Sequence, residues 1–325
     1  MPTPLGLCAR PDNPAKVARR PAPRLRPEAV LPGRGADPKA FAAKYQQRGR
    51  RRPGRDLPLF LLPTDRERVL MLDHAWTDLG RGVGPWWAAA VATYSLGYLL
   101  APSKLVEPEK RAYYGSSCLA ILHGVLVTIL ALMAGLDAGF WTVTWEPWNY
   151  RAQTPATTRC IHVFLAFLLT DLFPLLYYRK QWGGTGMYIG HHTLSCVAWG
   201  DAVLNGTCHN IALGLLLCEA TSAFVNGRYF LSTHGLKSSP IYLYNGVAMA
   251  CSFLIVRIIG MGSLGAKLFC IDFATSSAVL GNKTYVLLSI FLFGYGLQLT
   301  WFSKIVSGLL AFLKKDGNKP ESKKI

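Results

Sequence analysis

The sequence predicts an all-α, polytopic membrane helix bundle of six to seven transmembrane helices, and three observations carry that prediction. Apolar residues make up 51% of the 325-residue chain and charged residues only 16%, where a soluble domain carries roughly a quarter. From residue 86 onward, long apolar runs alternate with short polar breaks. The charge is displaced to one end: residues 1–55 hold 14 Lys and Arg against 3 Asp and Glu, +11 of the net +17. Together these exclude an ordinary cytosolic enzyme.

Residues 1–84 form a basic, Pro/Arg-rich region expected to be mostly disordered. Prolines such as Pro11, Pro14, Pro21, Pro23 and Pro27 interleave with arginines, and too little apolar surface is present to offset ordering of the chain. A transit peptide would be Arg-rich and acid-poor, as this is, but also serine-rich, and the first serine is Ser95. A solvated tail or a tether to anionic headgroups are the other readings. The Arg50–Arg52 run has no base-reading domain behind it, so no nucleic acid partner is expected.

Residues 85–107 hold the first membrane helix and its loop, the apolar run being 86–101 between Pro85 and Pro102. Six further runs follow within 108–312, at 115–135, 160–178, 187–204, 211–231, 241–261 and 285–303. Most reach the roughly 20 residues that cross a hydrocarbon core. A basic tail occupies 313–325.

Lys and Arg in the connections give the orientation. One side holds Lys104, Lys110, Arg111, Arg179, Lys180, Lys237 and the tail lysines; the other holds Arg151, Arg159 and Lys267. The C-terminus is therefore expected in the cytosol, and the Asn205-Gly206-Thr207 sequon on the opposite face. Most of the 8 cysteines fall inside apolar runs as small hydrophobes. Only Cys208 and Cys270 lie in loops on one non-cytosolic side, where a disulfide could form.

Chemistry is sought among polar residues inside the apolar runs, because such groups are costly there. The third run carries Asp171 in FLLTDLFPLL, the fourth His191-His192 in GMYIGHHTLSCVAWGD, and the fifth Glu219 in LLLCEATSAFVNGRYFL. Glu219, Ser222 and Asn226 share one helical face, which should turn to the bundle interior. A single such residue reads as interhelical hydrogen-bond glue, worth roughly 0.6–2 kcal/mol. The four acids and imidazoles on successive helices favour a site in which carboxylates orient an imidazole. Adjacent helical histidines point apart and no H-E-x-x-H exists, so no metal is expected. The GMGSLG at 260–265 ends an apolar run instead of following a strand and is not a dinucleotide loop.

At these residues the sequence resembles the TLC-domain family. The matching pieces are EKRAYYGSSCLAILHG, FLLTDLFPLLYY, GHHTLS, CEATSAFVNGRYFL and the YNG...FLIVRI of the sixth run, over about residues 108–312. The resemblance implies a bundle enclosing a membrane-embedded cavity, usually in the endoplasmic reticulum; the transit-peptide reading of the N-terminal region leaves a plastid or another organelle as the alternative. The family's ceramide synthases join a fatty acyl group from acyl-CoA to a sphingoid base. Their histidines correspond to His191 and His192; from their own placement in the apolar runs, Asp171 and Glu219 are the expected acids and Ser222 and Asn226 the expected substrate contacts. Arg179, Lys180 and Arg228 would then meet the CoA phosphates. That subgroup carries paired aspartates after its histidines, whereas here Asp201 and Glu219 are the only acids between His192 and Arg257. The primary expectation is thus a multi-pass protein that binds or handles acyl lipids and contributes to membrane lipid homeostasis. The alternative is an acyl-CoA-dependent N-acyltransferase of sphingolipid metabolism. No resident cofactor is expected; the partners are membrane lipids and, for an enzyme, acyl-CoA and a sphingoid base.

Overall fold

The computed structural model describes residues 65–141 and 148–317, with side chains over 76–141 and 148–311. Among these residues there are eight helices and no strand. In lipid every backbone donor and acceptor must be satisfied within its own segment, and the apolar runs have met that demand as helices. They are α1 (Asp65–Leu99), α2 (Pro108–Asp137), α3 (Pro155–Tyr177), α4 (Thr185–Asn205), α5 (His209–Thr233), α6 (Pro240–Ile271), α7 (Phe273–Leu280) and α8 (Lys283–Gly317). The chain divides into two units, Met1–Leu70 and Met71–Ile325; everything below concerns the second. The tail reading for residues 1–64 lies outside the described residues.

Local signals place the helix ends. Pro108, Pro155 and Pro240 open α2, α3 and α6, where a missing N–H costs nothing. Thr154 and Thr157 form a reciprocal capping box at the start of α3. Gly184 (φ 78°) and Gly206 (φ 61°) bracket α4 in the left-handed region that a side chain would disfavour. Two boundaries differ from expectation. α1 begins at Asp65 and runs through Pro85, so residues 65–84 are helical and Pro85 is interior; proline forfeits one hydrogen bond without ending the helix. α6 continues ten residues past 261, through GMGSLG, to Ile271.

Five helices, α2, α3, α5, α6 and α8, are long and apolar enough to cross a membrane. α4 has the length, 21 residues, but its hydropathy is lowered by His191, His192, Asp201 and three glycines. α1 carries charged residues in its first half. The chain is an integral, multi-pass membrane protein of all-α architecture.

The helices follow one another around a ring. α3 packs between α2 and α4, α4 against α8, α8 against α6, α6 against α5, and α5 back against α2. α1 lies outside α2, where a Cβ on Gly115 would meet the Tyr94 carbonyl at 2.8 Å; small residues let such backbones approach. The outward faces are apolar: Leu122, Ile129, Leu132 and Met133 of α2 and Ile255 and Ile259 of α6 are all exposed, as lipid contact requires. The core runs through Val127, Ile161, Phe164, Leu168, Leu213 and Leu216.

The end expected to be non-cytosolic is clamped by Asp272, which is fully buried. It accepts from the Trp148 backbone N–H at 3.0 Å and the Tyr150 hydroxyl at 3.3 Å, and pairs with Lys267 at 3.7 Å. No disulfide joins Cys208, buried at the entry to α5, to Cys270, exposed on α6.

Candidate functional site

Two polar nodes sit inside the ring, each built by a different helix pair. The first joins α3 and α4. Because neighbouring helical residues point about 100° apart, His192 turns to α3 while His191 turns to α8. His192 Nδ1 is 2.9 Å from the Tyr188 carbonyl. A carbonyl only accepts, so Nδ1 carries a proton, and Nε2 is the ring nitrogen turned to α3. Nε2 lies 3.1 Å from Asp171 Oδ2, with both side chains nearly buried. The approach is ion-pair close but off the line of a hydrogen bond, and Nε2 and Asp171 Oδ1 make no hydrogen bond within the chain. Phe167, one turn before Asp171, flanks the His192 ring at 5.9 Å. The same phenylalanine stacks on His123 at 4.1 Å and 4°.

The second node joins α5, α6 and α8 around Arg257. Its Nε donates to Thr221 Oγ1 at 2.7 Å and the Cys218 carbonyl at 3.1 Å, and Nη1 to Gln298 Oε1 at 3.1 Å. Nη2 pairs with Glu219 Oε1 at 3.4 Å. The Ser222 hydroxyl donates to Glu219 Oε2 at 2.9 Å, and Asn226 Nδ2 to the Ser222 carbonyl at 3.0 Å. Irregular helix makes this possible. Leu217–Thr221 is a 3₁₀ stretch in α5 and Phe253–Gly260 a π stretch in α6, and such departures redirect carbonyls away from the regular ladder.

The nodes face two adjoining cavities. One, of about 440 Å³, is lined by Asp171, His191, His192, Glu219, Ser222, Asn226 and Arg257. It extends to Trp182, Gly183, Thr185 and Lys304, at the end expected to be cytosolic; we call it the vestibule. The other, of about 120 Å³, is lined mostly by apolar groups such as Leu194, Ala198, Met261, Leu288 and Phe291, and reaches Tyr150, Cys208 and Thr284 at the opposite end. Phe164, His191, Glu219 and Arg257 line both. These four residues lie between the vestibule, which gathers the polar side chains among aromatic and aliphatic ones, and a more apolar inner chamber.

Of the residues expected at the site, Asp171, His191, His192, Glu219, Ser222 and Asn226 share the vestibule. Arg179 and Lys180 are exposed in the turn after α3 and do not line it. Arg228 lines a neighbouring cavity of about 240 Å³ with Lys304, Gly246 and Met249. Sequence reasoning passed over Arg257, although a charge inside a 32-residue apolar helix satisfies the criterion that selected Asp171 and Glu219. It also passed over Gln298, Trp301 and His123. Among the described residues no group of three or more His, Cys, Asp or Glu is arranged to hold a metal ion.

Comparison with known proteins gives a consistent result. A family model described as the TLC domain matches residues 114–307. The chain is 29% identical over 228 residues to TLC domain-containing protein 4-B of Danio rerio, covering 67% of this chain and 83% of that protein. It is 30% identical over 142 residues to TLC domain-containing protein 4 of Homo sapiens, covering 43% and 49%. With TLC domain-containing protein 4 A of Dictyostelium discoideum the identity is 24% over 230 residues, covering 68% and 88%. No solved structure matches.

Proposed function

The chain belongs to the TLC-domain family, and from that premise we propose that it binds acyl lipids inside the membrane and contributes to membrane lipid homeostasis, in the endoplasmic reticulum. The observation that carries this reading is the paired cavity. A vestibule that holds the site's polar groups meets a more apolar chamber at four shared residues, and that gradient suits an amphiphile: a headgroup near hydrogen-bonding groups and a chain among aliphatic ones. An apolar chamber lined from six helices has little use for a protein whose polar residues are only interhelical glue. The test is lipid retained by the purified chain, read by native mass spectrometry, together with lipidomics of a null strain. Retained acyl lipid, and a lipid profile restored by wild type but not by His191→Ala/His192→Ala, is the expected result. A lipid-free protein with an unchanged profile in the null strain contradicts it.

One geometric feature favours a second reading, N-acyl transfer from acyl-CoA to a sphingoid base. His192 is oriented by the Tyr188 carbonyl, with a carboxylate 3.1 Å from its free nitrogen. In that reaction the amine nitrogen bonds to the thioester carbonyl carbon and Nε2 of His192 takes the proton the nitrogen sheds. Asp171 stabilises the resulting imidazolium. The carbon–sulfur bond breaks, the thiolate leaves with the electron pair, and the proton reaches it as coenzyme A departs. Turnover of acyl-CoA with sphingoid base that is lost in His192→Ala, and reduced in Asp171→Asn, supports transfer. Lipid binding without turnover leaves the first reading alone.

A further inference from the structure

The wall of the vestibule nearest Lys304 has a composition that acyl-chain binding does not require. Tyr188 and Trp301 stack at 5.2 Å and 18°, and His191 meets Trp301 edge-on at 5.7 Å. All three line the vestibule, which also contains the Asp171 carboxylate; Glu219 is there too but is taken up by Arg257. Asp171 Oδ1 is buried without a hydrogen-bond partner in the chain. Aromatic faces beside carboxylates attract an organic cation, and a buried acceptor without a donor is unfavourable until a ligand supplies one.

One helical turn along α8, Lys304 lines both the vestibule and the adjoining cavity that holds Arg228. None of the described residues lining that cavity is acidic. The Arg228 guanidinium is held over the Tyr242 ring at 3.9 Å, with Nη1 donating to the Tyr242 carbonyl at 3.2 Å. That leaves most of its donors available to an anion. Residues three apart on a helix place their Cβ atoms about 5–6 Å from one another. Trp301 and Lys304 are so placed, and a two-carbon bridge between a phosphate and an ammonium spans a comparable distance.

Resting on the lipid-binding reading above, we propose that this chain selects a zwitterionic phospholipid, of the ethanolamine or choline type. The phosphate lies between Arg228 and Lys304, and the ammonium lies against Trp301, Tyr188 and the Asp171 carboxylate. Both halves of the headgroup are recognised: a phosphate without a cation leaves the aromatic wall unused, and an amine without a phosphate leaves Arg228 and Lys304 unused.

The experiment is displacement of a fluorescent acyl phosphatidylethanolamine from the purified full-length chain in detergent by dioctanoyl lipids. At least one of dioctanoyl phosphatidylethanolamine and phosphatidylcholine should compete about tenfold better than dioctanoyl phosphatidic acid, dioctanoylglycerol or sphingosine, the equivalent of one strong cation–π or charge-assisted contact. Lys304→Ala, at an exposed position, should reduce that advantage about fivefold or more while leaving dioctanoylglycerol competition unchanged. Trp301→Leu should weaken the zwitterionic lipids but not phosphatidic acid. Equal competition by all of these lipids, or stronger competition by octanoyl-CoA, overturns the headgroup assignment while lipid binding stands. Failure of the fluorescent lipid and every competitor to bind overturns the lipid-binding reading itself.

Discussion

Replacing Glu219 with glutamine should destabilise the fold through Arg257, and the size of the effect follows from the geometry. The pair is separated by 3.4 Å, with side chains 9% and 13% exposed. At an effective dielectric constant of about 20 its gross attraction is about 5 kcal/mol. Two effects reduce the measurable loss. Arg257 keeps Thr221, the Cys218 carbonyl and Gln298 as acceptors, and losing one carboxylate also removes that carboxylate's own desolvation cost. A polar contact within a membrane bundle is worth about 0.6 kcal/mol on average, while breaking a buried ion pair from one side costs about 3–5 kcal/mol. We expect about 2–3 kcal/mol for Glu219→Gln, between those bounds. For a bundle of this size that is a fall of roughly 5–10 °C in apparent Tm, read by intrinsic tryptophan fluorescence in detergent. The double variant Glu219→Met/Arg257→Met should be less destabilised than the sum of its single variants by about 1.5 kcal/mol or more, because neither leaves an unpaired charge behind. A Glu219→Gln Tm within about 2 °C of wild type, or strict additivity in the double variant, refutes the claim that this pair holds α5 to α6.

Two glycines should respond oppositely to the same change. A Cβ on Gly124 would lie 2.7 Å from the Glu219 carbonyl oxygen, backbone that cannot swing aside, whereas one on Gly200 would meet nothing within 4 Å. Gly124→Ala should therefore cost about 1–3 kcal/mol and Gly200→Ala add about 0.5–1 kcal/mol, both measurable as shifts in apparent Tm. At the opposite end, burial, followed by the charge and hydrogen bond of Asp272, pushes the Tyr150 phenol well above its ordinary value. Below about pH 10 the phenol is protonated in folded and unfolded chains alike and contributes no pH dependence. Above it the unfolded phenol ionises first, so stability falls as pH rises; Tyr150→Phe should flatten that fall in Tm between pH 10 and 11, and an unchanged slope rejects this origin for it.

Much of this architecture was legible because hydrocarbon leaves the backbone few options. Each of the seven apolar runs is a helix, and the cost of polar groups in lipid singled out residues that do share one cavity. Pairing was less legible. That His192 meets Asp171 while His191 meets Trp301 depends on the rotation of α4 between α3 and α8, which a helical repeat fixes only relative to itself. Glu219 needed a partner, and Arg257 was visible in the sequence, but two irregular stretches bring them together. Nothing in the local sequence announces a 3₁₀ or π turn. Cys270 was misplaced for a related reason: α6 continues to Ile271, so Cys270 lies on a helix and not in the loop that the sequence suggested.

The central claim is that the end of an acyl chain enters the inner chamber while its headgroup remains in the vestibule. Its most direct test is photocrosslinking of the purified chain with a phospholipid carrying a diazirine near the end of one acyl chain, followed by peptide mapping. Labelling of chamber residues Met261, Leu288 and Phe291, diminished when Ala198→Trp fills the chamber, is the predicted result. Labelling confined to the outward side chains Ile129, Leu132 and Ile255, and unaffected by Ala198→Trp, would contradict it.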